Sequence, residues 1–270
     1  MRRILLLLLP SVVFLLWQNV SIQREEKELF FRDLPAAFQD LRLVHISDLH
    51  GRVFGQEHSR LLKAVRESEP DLICITGDLF GTEEELQGIH DLLQGLCELA
   101  PTYYVTGNHE WQLRTVRQYL SQMEQWGVEV LRNEYKVLQR QGKALVIAGV
   151  DDPCGPYERK SPAQLVEEIR RDVGQESFVL MLSHRNDELE LWQELGVDLV
   201  LSGHCHGGVV RLPFVGGVFG SGRELFPEYD AGSYEKGNTQ LFVSRGLGYS
   251  RVKFRLFNRP HLPVLILKGK

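Results

Sequence analysis

The sequence predicts an α/β fold in which two packed sheets of mixed strands are flanked by helices. Short apolar runs, such as residues 41–46 and 71–76, alternate with helical patterns over the first two thirds of the chain. Such alternation is typical of buried strands joined by helices. From Gly208 onward the helical period disappears, and glycine-rich apolar segments indicate antiparallel strands. Together these patterns favour two sheets packed face to face with helices outside.

The individual elements follow from the spacing of apolar residues and from residues that begin or end helices. Thr82 precedes three glutamates, which predicts a helix N-terminus, and Ser161-Pro162 predicts a second one. Gly127 and Gly196 end two other helical patterns. The predicted helices lie around residues 61–65, 83–99, 113–126, 161–173 and 187–195. The predicted strands are residues 41–46, 71–76, 103–106, 128–131, 144–150, 178–182, 197–201, 209–212, 240–244 and 264–267.

The composition is that of a globular protein with one large domain. The chain has 270 residues, and no linker-like stretch divides it. It carries 31 basic and 36 acidic residues, a formal net charge of -5, without basic runs. This balance argues against binding to a nucleic-acid backbone by charge alone. The four cysteines show no CxxC spacing, so we expect neither a disulfide framework nor a thiolate zinc site.

The N-terminal segment differs from the rest of the chain. Residues 4–17 are almost all apolar and follow Arg2 and Arg3, and no Ala-x-Ala cleavage site follows them. We expect an uncleaved signal anchor that crosses the membrane once. The expected organisation is an anchor or signal segment at residues 1–22, a polar tether at 23–40 and the folded domain at 41–270. Basic residues lie on both sides of the apolar run, so they do not decide its orientation.

Five short polar motifs follow predicted strands at their C-terminal ends. In chain order they are Asp48-Leu49-His50, Gly77-Asp78, Gly107-Asn108-His109-Glu110, Ser183-His184 and Gly203-His204-Cys205-His206-Gly207-Gly208. In open α/β sheets ligands bind beyond the carboxyl ends of strands, so we expect these motifs to converge on one crevice. Their carboxylate, imidazole and amide groups are metal ligands. The sequence therefore predicts a metal centre in that crevice.

The expected centre holds two divalent ions. Ions about 3.5 to 4 Å apart generate hydroxide and neutralise the charged oxygens of a phosphate ester, which otherwise repel nucleophiles. Asp78 is the expected bridge, since Gly77 leaves room for close approach. His204 and His206 lie on one side of an extended segment, so each can serve one ion. The other expected ligands are Asp48, His50, Asn108 and His184. Oxygen and nitrogen ligands without thiolate suit Mn, Fe or Zn.

Each motif alone is weak evidence, and the combination carries the prediction. Gly-Asp is common in turns, and a single histidine at a strand end is more often a satisfied polar residue. The motifs contain five of the nine histidines, and chance placement of all five at successive strand ends is improbable. Cys205 should point to the opposite side of its strand and pack there. The remaining four, His45, His58, His90 and His261, are expected to be structural or solvent-facing.

The series Asp-x-His, Gly-Asp, Gly-Asn-His-Glu, His and Gly-His-x-His resembles the calcineurin-like metallophosphoesterase family, from about Leu41 to the C-terminus. Residues 203–214 and 243–248 look like its membrane-anchored bacterial subgroup, which includes phosphodiesterases and a UDP-2,3-diacylglucosamine pyrophosphatase of lipid A synthesis. The resemblance implies that one ion is held by Asp48, His50, Asp78 and His206, and the other by Asp78, Asn108, His184 and His204. It also implies that His109 acts as general acid or stabilises the leaving oxygen, while Glu110 orients its ring.

Arginines near the motifs are candidates for binding a second phosphate or a carboxylate of the substrate. They are Arg52, Arg185, Arg211 and Arg223. For any single one of them, a solvated loop residue is the favoured explanation. Related sequences often have proline two residues after the histidine of the fourth motif, where this chain has Asn186. We expect that departure to affect loop shape and substrate preference. Gly207 and Gly208 are expected to let the backbone pass close to a metal or substrate.

The sequence thus predicts a metal-dependent phosphohydrolase that cleaves a phosphodiester or pyrophosphate bond. The expected partners are a phosphorylated small-molecule or lipid substrate, such as UDP-2,3-diacylglucosamine of the cell envelope, and the membrane. Two alternatives stay open, namely a non-catalytic scaffold of the same fold and a nuclease. The complete ligand set with His109 argues against the scaffold. The acidic charge and the apolar N-terminus argue against the nuclease, so no nucleic-acid partner is expected.

Overall fold

The computed structural model describes residues 2–156, 160–220, 224–250 and 252–270, with side chains from Pro10 onward. Its helices are α1 (Arg2–Val20), α2 (Ser59–Arg66), α3 (Glu83–Leu99), α4 (Val116–Gln125), α5 (Pro162–Asp172) and α6 (Leu189–Glu194). Its strands are β1 (Gln23–Phe31), β2 (Arg42–Ile46), β3 (Leu72–Thr76), β4 (Thr102–Val105), β5 (Glu129–Val130), β6 (Glu134–Arg140), β7 (Lys143–Gly149), β8 (Val179–Leu182), β9 (Leu199–Ser202), β10 (Arg211–Leu212), β11 (Gly216–Gly217), β12 (Gly232–Lys236), β13 (Thr239–Val243) and β14 (His261–Gly269).

Two six-stranded sheets and one short hairpin contain these strands. The first sheet has the order β1-β14-β2-β3-β4-β5, and the second has the order β12-β13-β9-β8-β7-β6. Strands β2 to β5 are parallel, and so are β7, β8, β9 and β13. Antiparallel pairing occurs between β14 and β2, between β12 and β13, and between β6 and β7. The predicted α/β sandwich of mixed strands is confirmed.

The central strands are apolar throughout because both of their faces are covered. Successive residues of a strand point to opposite faces of the sheet. Leu43 of β2 packs in the core between the sheets, together with Leu180 and Phe242 of the second sheet. Its neighbour Val44 packs in the outer core with Leu61 and other residues of the helices. This arrangement leaves the carboxyl ends of the parallel strands as the accessible edge of the sandwich.

The helix starts predicted from the sequence form as expected. The Thr82 side chain accepts a hydrogen bond from the Glu85 backbone N–H at 3.2 Å and caps α3. Ser161 and Gln164 form a reciprocal capping box at the start of α5. The three glutamates of the first α3 turn also complement the positive end of the helix dipole.

The segment expected to be a tether, residues 23–40, contains a strand. Residues Gln23–Phe31 form β1, which pairs in parallel with β14 at the edge of the first sheet. Only Leu29 and Phe31 of this strand are buried, and the residues between Arg24 and Glu28 are exposed. A charged edge strand has no alternating apolar pattern, and its charges block pairing with further chains. That composition is why the sequence indicated a polar tether.

The expected single-pass membrane anchor is wrong. Among the described residues, no helix is both long and apolar enough to span a bilayer. Helix α1 contains Pro10, and its last turn is polar and attached to the folded domain. The side chain of Gln18 is 1% exposed, and its amide donates a hydrogen bond to the Arg255 carbonyl at 2.8 Å. The end of α1 is therefore part of the domain surface near the strand ends.

Candidate metal centre

The ends of five parallel strands, three from the first sheet and two from the second, meet at one edge of the sandwich. Asp48 follows β2, Asp78 follows β3, and Asn108 follows β4. From the other sheet, His184 follows β8, and the pair His204 and His206 follows β9. The structure brings together all seven residues that the sequence predicted as metal ligands, with contacts that cross from one sheet to the other.

Left-handed backbone conformations occur where these strands end. Asp48 and Asp78 both have φ of 51°, and His204 and His206 have φ of 64° and 53°. A residue other than glycine in this region costs of order 1–3 kcal/mol and persists only where its surroundings enforce it. The turn at each strand end directs the side chain toward the neighbouring sheet. Part of the backbone strain of the described residues therefore lies at the ligands, although other loop residues such as Asn133 and Phe214 also have positive φ.

Small residues let the strand ends approach each other. A methyl group at Gly77 would overlap the backbone of Gly107, and one at Gly203 would overlap the Asp48 carboxylate. These glycines therefore allow the close approach that was expected at Gly77. Gly207 and Gly208 also have tight surroundings, but a methyl group there would meet other parts of the protein. Gly207 and Gly208 therefore allow the loop after β9 to pack closely against Arg245, Asn258 and Gly217.

The first ligand cluster consists of Asp48, His50 and His206. The two Nε2 atoms of His50 and His206 are 3.1 Å apart, and His206 Nε2 lies 3.4 Å from Asp48 Oδ1. One ligand atom from each of the three residues lies within 4.8 Å of the others. Nearby, the second oxygen of the Asp48 carboxylate accepts hydrogen bonds from Ser47 Oγ and from the His204 backbone N–H. These bonds fix the carboxylate before any ion binds.

The second ligand cluster consists of Asp78, His184 and His204. His184 Nε2 lies 3.4 Å from Asp78 Oδ2 and 3.1 Å from His204 Nδ1. The other ring nitrogen of His184 donates to the Thr76 carbonyl at 2.7 Å, which leaves Nε2 as the ligand atom. The amide oxygen of Asn108 is buried and has no hydrogen-bond partner among the residues that the structure describes. Such an oxygen fits the ligand set of a divalent ion.

The Asp78 carboxylate lies between the two clusters. Its Oδ2 atom is 3.4 Å from His184 Nε2 on one side and 3.7 Å from His50 Nε2 on the other. Its Oδ1 atom accepts a hydrogen bond from the His109 backbone N–H at 2.9 Å. The carboxylate is 2% exposed and is reached by histidines from both sheets. The donor set therefore fits two ions that share one carboxylate, and its mixed oxygen and nitrogen chemistry suits Mn, Fe or Zn.

The charges of the centre are strongly coupled. Burial alone would lower the pKa of His184, but the adjacent Asp78 carboxylate outweighs it and raises that pKa to about 10. Burial would raise the pKa of Asp78, yet His184 and His50 hold it well below its usual range. For Asp48, burial and the negative charge of Asp78 raise the pKa to about 6. Without an ion, the site thus balances its negative charge with a proton on His184.

His109 lies beside the shared carboxylate at the mouth of the centre. Its side chain is 37% exposed, and its Nε2 atom lies 3.9 Å from Asp78 Oδ2. Its ring packs edge-on against the His50 ring, with centroids 4.7 Å apart. His109 also forms a possible ligand group with His50 and Asp78. An exposed imidazole in this position can exchange protons with a molecule bound at the centre.

Glu110 has a different role from the one expected. Its carboxylate is fully buried and accepts hydrogen bonds from four backbone N–H groups, those of Asp78, Leu79, Phe80 and Gly107. Burial and the Asp78 charge raise the pKa of Glu110 to about 7, which the backbone donors oppose. Both oxygens are thus engaged by the turn that follows β3. The expectation that Glu110 orients the His109 ring is wrong, because the residue fixes the Asp78 backbone instead.

A cavity of about 530 Å³ opens above the ligands. Ligand residues and His109 form its floor. Trp111, Cys154 and Arg185 line it as well, and Val209, Phe219 and Val252 contribute apolar surface. Another cavity, of about 370 Å³, lies near the N-terminal ends of β8 and β9, and its described lining contains none of the motif residues. The cavity above the ligands is therefore the candidate substrate site.

Of the three candidate arginines that the structure describes, Arg185 is the one that lines this cavity. Arg52 instead stacks on Tyr249 and donates to the Leu247 carbonyl. Arg211 pairs with Asp230 at 2.9 Å, so the substrate-binding role expected for Arg52 and for Arg211 is not supported by their positions. Arg223 lies outside the described residues. Both corrected residues use their guanidinium groups to hold loops around the centre.

Sequence reasoning missed Asp152, which fixes Arg185. Two hydrogen bonds of 2.6 and 3.1 Å join the Asp152 carboxylate to Nε and Nη2 of Arg185, and the remaining Nη1 lies 3.1 Å from His204 Nε2. Asp152 is 3% exposed and follows β7, so it stands at a sixth strand end. The signal in the sequence was the pair Asp151-Asp152 after the apolar run of residues 144–150.

Cys205 and the four histidines outside the motifs have structural roles or lie near the surface, as the sequence indicated. Cys205 is 1% exposed and burial raises the pKa of its thiol to about 12, so it is a packing residue. His45, His58 and His261 are buried, whereas His90 is half-buried. His45 donates or accepts a hydrogen bond with Thr76 Oγ1 at 2.8 Å.

Comparisons with known proteins agree with this geometry. The family model for calcineurin-like phosphoesterases matches residues 41–208. A metallophosphoesterase of Aquifex aeolicus is 33% identical over 237 residues, which cover 86% of each chain. The phosphodiesterase YaeI of Escherichia coli is 30% identical over 245 residues, covering 88% of this chain and 85% of the relative. The metallophosphoesterase YkuE of Bacillus subtilis is 30% identical over 244 residues, covering 87% and 82%.

A solved structure shows the same fold. The NAD nucleotidase NadN of Haemophilus influenzae superimposes with a TM-score of 0.51 over 78% of this chain and 46% of its own. The two sequences are 17% identical. At that sequence identity, the structural similarity shows a shared fold alone.

Metal binding at the second cluster should release a proton. With its pKa raised to about 10, His184 is protonated at neutral pH and must lose that proton before Nε2 binds an ion. Affinity for Mn²⁺ should therefore increase as the pH rises from about 6 to about 9, with release of about one proton per chain near pH 7. Calorimetric titration of metal-free protein in buffers of different ionisation enthalpy measures both quantities.

The matched comparison for this titration is His184→Gln, which should abolish the proton release. The same proton contributes to the stability of the metal-free fold, because the folded pKa lies above the ordinary value of 6.5. That contribution is fully present below about pH 6.5 and is lost as the pH rises through about 10. Affinity that is independent of pH, with no proton released, would show that His184 is not a ligand.

Proposed function

The chain belongs to the calcineurin-like phosphoesterase family, and we propose that this phosphoester hydrolase is a phosphodiesterase that works with two divalent ions. The observation that carries the proposal is the Asp78 carboxylate. Its Oδ2 atom lies within 3.7 Å of ligand nitrogens in both clusters. A shared carboxylate holds two ions close together, and a pair of ions supplies hydroxide at neutral pH and neutralises the attacking and leaving oxygens.

Each cluster of the proposed site has four protein groups when Asp78 is counted in both. The first ion would be held by Asp48, His50, Asp78 and His206, and the second by Asp78, Asn108, His184 and His204. Both sets combine carboxylate or amide oxygens with two imidazoles, which favours Mn, Fe or Zn over Ca or Mg. The hydrogen bonds of His184 to Thr76 and of Asp48 to Ser47 orient ligands in advance.

His109 is the proposed general acid for the leaving oxygen. Its exposed ring faces the cavity, while its backbone N–H is bonded to the Asp78 carboxylate, which fixes its distance from the centre. A side chain in this position can deliver a proton to an alkoxide as the bond to phosphorus breaks. The contact with the His50 ring limits rotation of the imidazole.

Arg185 is the proposed site for a second charged group of the substrate. The Asp152 carboxylate holds two of its three nitrogens, so the side chain is already ordered when substrate arrives. The ordered guanidinium stands at the cavity wall next to His204. A phosphate or carboxylate one bond beyond the reacting phosphate could bind there through charge-assisted hydrogen bonds.

A pyrophosphate bond in a lipid or cell-envelope molecule, such as UDP-2,3-diacylglucosamine, is the second candidate substrate. Arg185 favours a substrate with two phosphates, and the apolar surface of Val209, Phe219 and Val252 favours one with an apolar group. A nuclease is disfavoured by the formal charge of -5. A non-catalytic scaffold would have no use for a complete ligand set around a strained and buried carboxylate.

The first functional prediction tests whether the shared carboxylate is required for hydrolysis. With Mn²⁺ the protein should hydrolyse bis-p-nitrophenyl phosphate, and Asp78→Asn should reduce this activity to background, because an amide cannot balance two divalent charges. The release of p-nitrophenol measures the rate. Asp198→Asn is the control, since it changes a half-buried aspartate that accepts a hydrogen bond from the Val179 backbone N–H elsewhere in the fold. Inactive wild-type protein that binds Mn²⁺ would instead support the scaffold.

A further prediction separates the acid from the ligands. His109→Ala should lower turnover by about 10² to 10⁴ while leaving the metal content unchanged. The loss should be smaller for p-nitrophenyl esters than for alkyl esters, since a good leaving group does not need a proton. Elemental analysis and kinetics with both ester types provide the measurement, and His90→Ala is the control, since the exposed fraction of its side chain, 36%, is close to that of His109. Loss of bound metal from His109→Ala would make this residue a ligand.

The last functional prediction concerns substrates with two phosphates. Arg185→Gln should lower kcat/KM for nucleotide-sugar pyrophosphates by about tenfold to a hundredfold, because it removes a charged hydrogen-bond donor. The effect on a simple diester should be much smaller. UDP-glucose and UDP-2,3-diacylglucosamine should be compared, because a higher kcat/KM for the acylated substrate would support the apolar surface as its binding site. Arg140→Gln, which breaks a surface ion pair with Asp71, is the control. Equal losses on all substrates would refute this role of Arg185.

A further inference from the structure

The last turn of α1 is tied to the segment that follows Val252. Gln18 donates through Nε2 to the Arg255 carbonyl and accepts through Oε1 from the Phe257 N–H, both at 2.8 Å. Asn19 donates to the same carbonyl at 3.0 Å and accepts from the Arg255 N–H at 2.9 Å. Two adjacent amide side chains thus make four hydrogen bonds to one short stretch of backbone. That number of bonds fixes the stretch against the helix.

The Arg255 side chain extends from this segment into the interior. It is 2% exposed, and its Nε and Nη1 atoms donate to the carbonyls of Gly248 and Arg245, both at 2.8 Å. Its Nη2 atom lies 3.4 Å from Nδ1 of the ligand His206. Among the described ion pairs none includes Arg255. A buried guanidinium held by carbonyl groups is costly, so its position depends on those bonds.

The loop held by Arg255 supports Asp48. The Gly248 N–H donates to the Asp48 carbonyl at 2.6 Å, and the Leu247 N–H donates to the Ser47 carbonyl at 3.0 Å. Arg255 therefore joins α1 to the backbone of a first-cluster ligand through a single loop. Because Asp48 has a left-handed backbone, these bonds help to keep a conformation that is unfavourable by itself.

The same segment also supports His206. The Asn258 side chain donates to the His206 carbonyl at 2.7 Å and to the Val209 carbonyl at 3.3 Å. His206 has a left-handed backbone as well, with φ of 53°. Two of the three residues in the first cluster, Asp48 and His206, are consequently held by residues 255–258.

The second cluster is supported by other contacts. The Glu110 carboxylate fixes the Asp78 backbone N–H, and the Thr76 carbonyl orients the His184 ring. His204 takes its contacts from Arg185 and from Asp48. Asp48 is itself a ligand of the first cluster, but none of the described hydrogen bonds joins Glu110, Thr76 or Arg185 to the segment bound by α1. The two clusters therefore differ in how they depend on the N-terminal helix.

We propose that Gln18 and Asn19 are positioning residues for the first metal site and that α1 docking sets the affinity of that site. The inference rests on the proposed ligand assignment but not on the substrate or the reaction. When both amides are bonded, residues 255–258 hold Asp48 and His206 in their strained conformations. When the hydrogen bonds of the two amides are removed, Asp48 and His206 gain conformational freedom. Metal binding must then order these residues, and the entropy lost lowers the affinity. Outer partners of metal ligands typically contribute about 10- to 100-fold to affinity.

The test uses the full-length chain with Gln18→Met and Asn19→Ala, which keeps most of the side-chain volume and removes the four hydrogen bonds. Mn²⁺ is added to metal-free protein, and binding is followed by calorimetry and by electron paramagnetic resonance. Affinity at the first site should fall about tenfold, while the second site should be unchanged. At intermediate Mn²⁺ the spin-coupled signal of an ion pair should give way to the signal of single ions.

Two ligand variants identify the site that is affected. In a His204→Ala background, where the second site is disabled, the α1 substitutions should weaken the remaining Mn²⁺ affinity. In a His206→Ala background they should have no effect. Gln39→Met is the matched control, because Gln39 is another amide side chain that bonds a backbone N–H, that of Gly269, in a different part of the fold.

Equal weakening in both backgrounds, or no weakening in either, would overturn the proposal. If circular dichroism shows that the double variant is unfolded, Gln18→Glu replaces it, since this change keeps the acceptor for Phe257 N–H and removes the donor to Arg255. Selective loss with that variant supports the proposal, and none refutes it. Two Mn²⁺ ions bound by wild-type protein without diesterase activity would refute the proposed function alone and leave this inference standing.

Discussion

The structure of the centre depends on one carboxylate that several imidazoles from two sheets must surround. Asp78 stands at the end of β3, and its Oδ2 atom contacts histidines that follow β2 and β8. A buried carboxylate is unfavourable without opposite charge, so the metal-free fold places a proton on His184 beside it. Ions that bind there would replace this proton and neutralise the negative charge of the Asp78 carboxylate. The need to satisfy Asp78 therefore links the fold of both sheets to metal binding.

The backbone that brings these side chains around Asp78 adopts conformations that are unfavourable by themselves. Ligands at the ends of the strands adopt left-handed conformations, and glycines at neighbouring strand ends allow the sheets to approach. Buried polar groups stabilise those turns, namely Glu110 for the segment after β3 and Arg255 for the loop against Asp48. In both cases the side chain binds mainly backbone groups, and Arg255 also lies 3.4 Å from the His206 ring. The residues of the centre are thus held mainly through their backbone groups.

Local patterns in the sequence predicted the sandwich and the seven ligand candidates, because each ligand lies within four residues of the end of an apolar strand. Contacts between distant segments were not predictable in this way. Strand β1 pairs with β14, which follows it by more than two hundred residues. Because most residues of β1 are charged, the sequence indicated a polar tether there. Asn19 and Gln18 bind Arg255 at similar separation, so an apolar run suggested an anchor where the helix end docks on the domain. Glu110 was misassigned because its sequence neighbour, His109, is not its structural partner.

Anomalous X-ray diffraction from crystals grown with Mn²⁺ tests most directly the proposal that Asp78 bridges two ions in one cavity. Data collected near the manganese absorption edge locate each ion independently of the protein atoms. The account predicts two anomalous peaks about 3.5 to 4 Å apart, with one carboxylate oxygen of Asp78 within bonding distance of both. A single peak would contradict the claim, and so would two peaks that have no Asp78 oxygen between them.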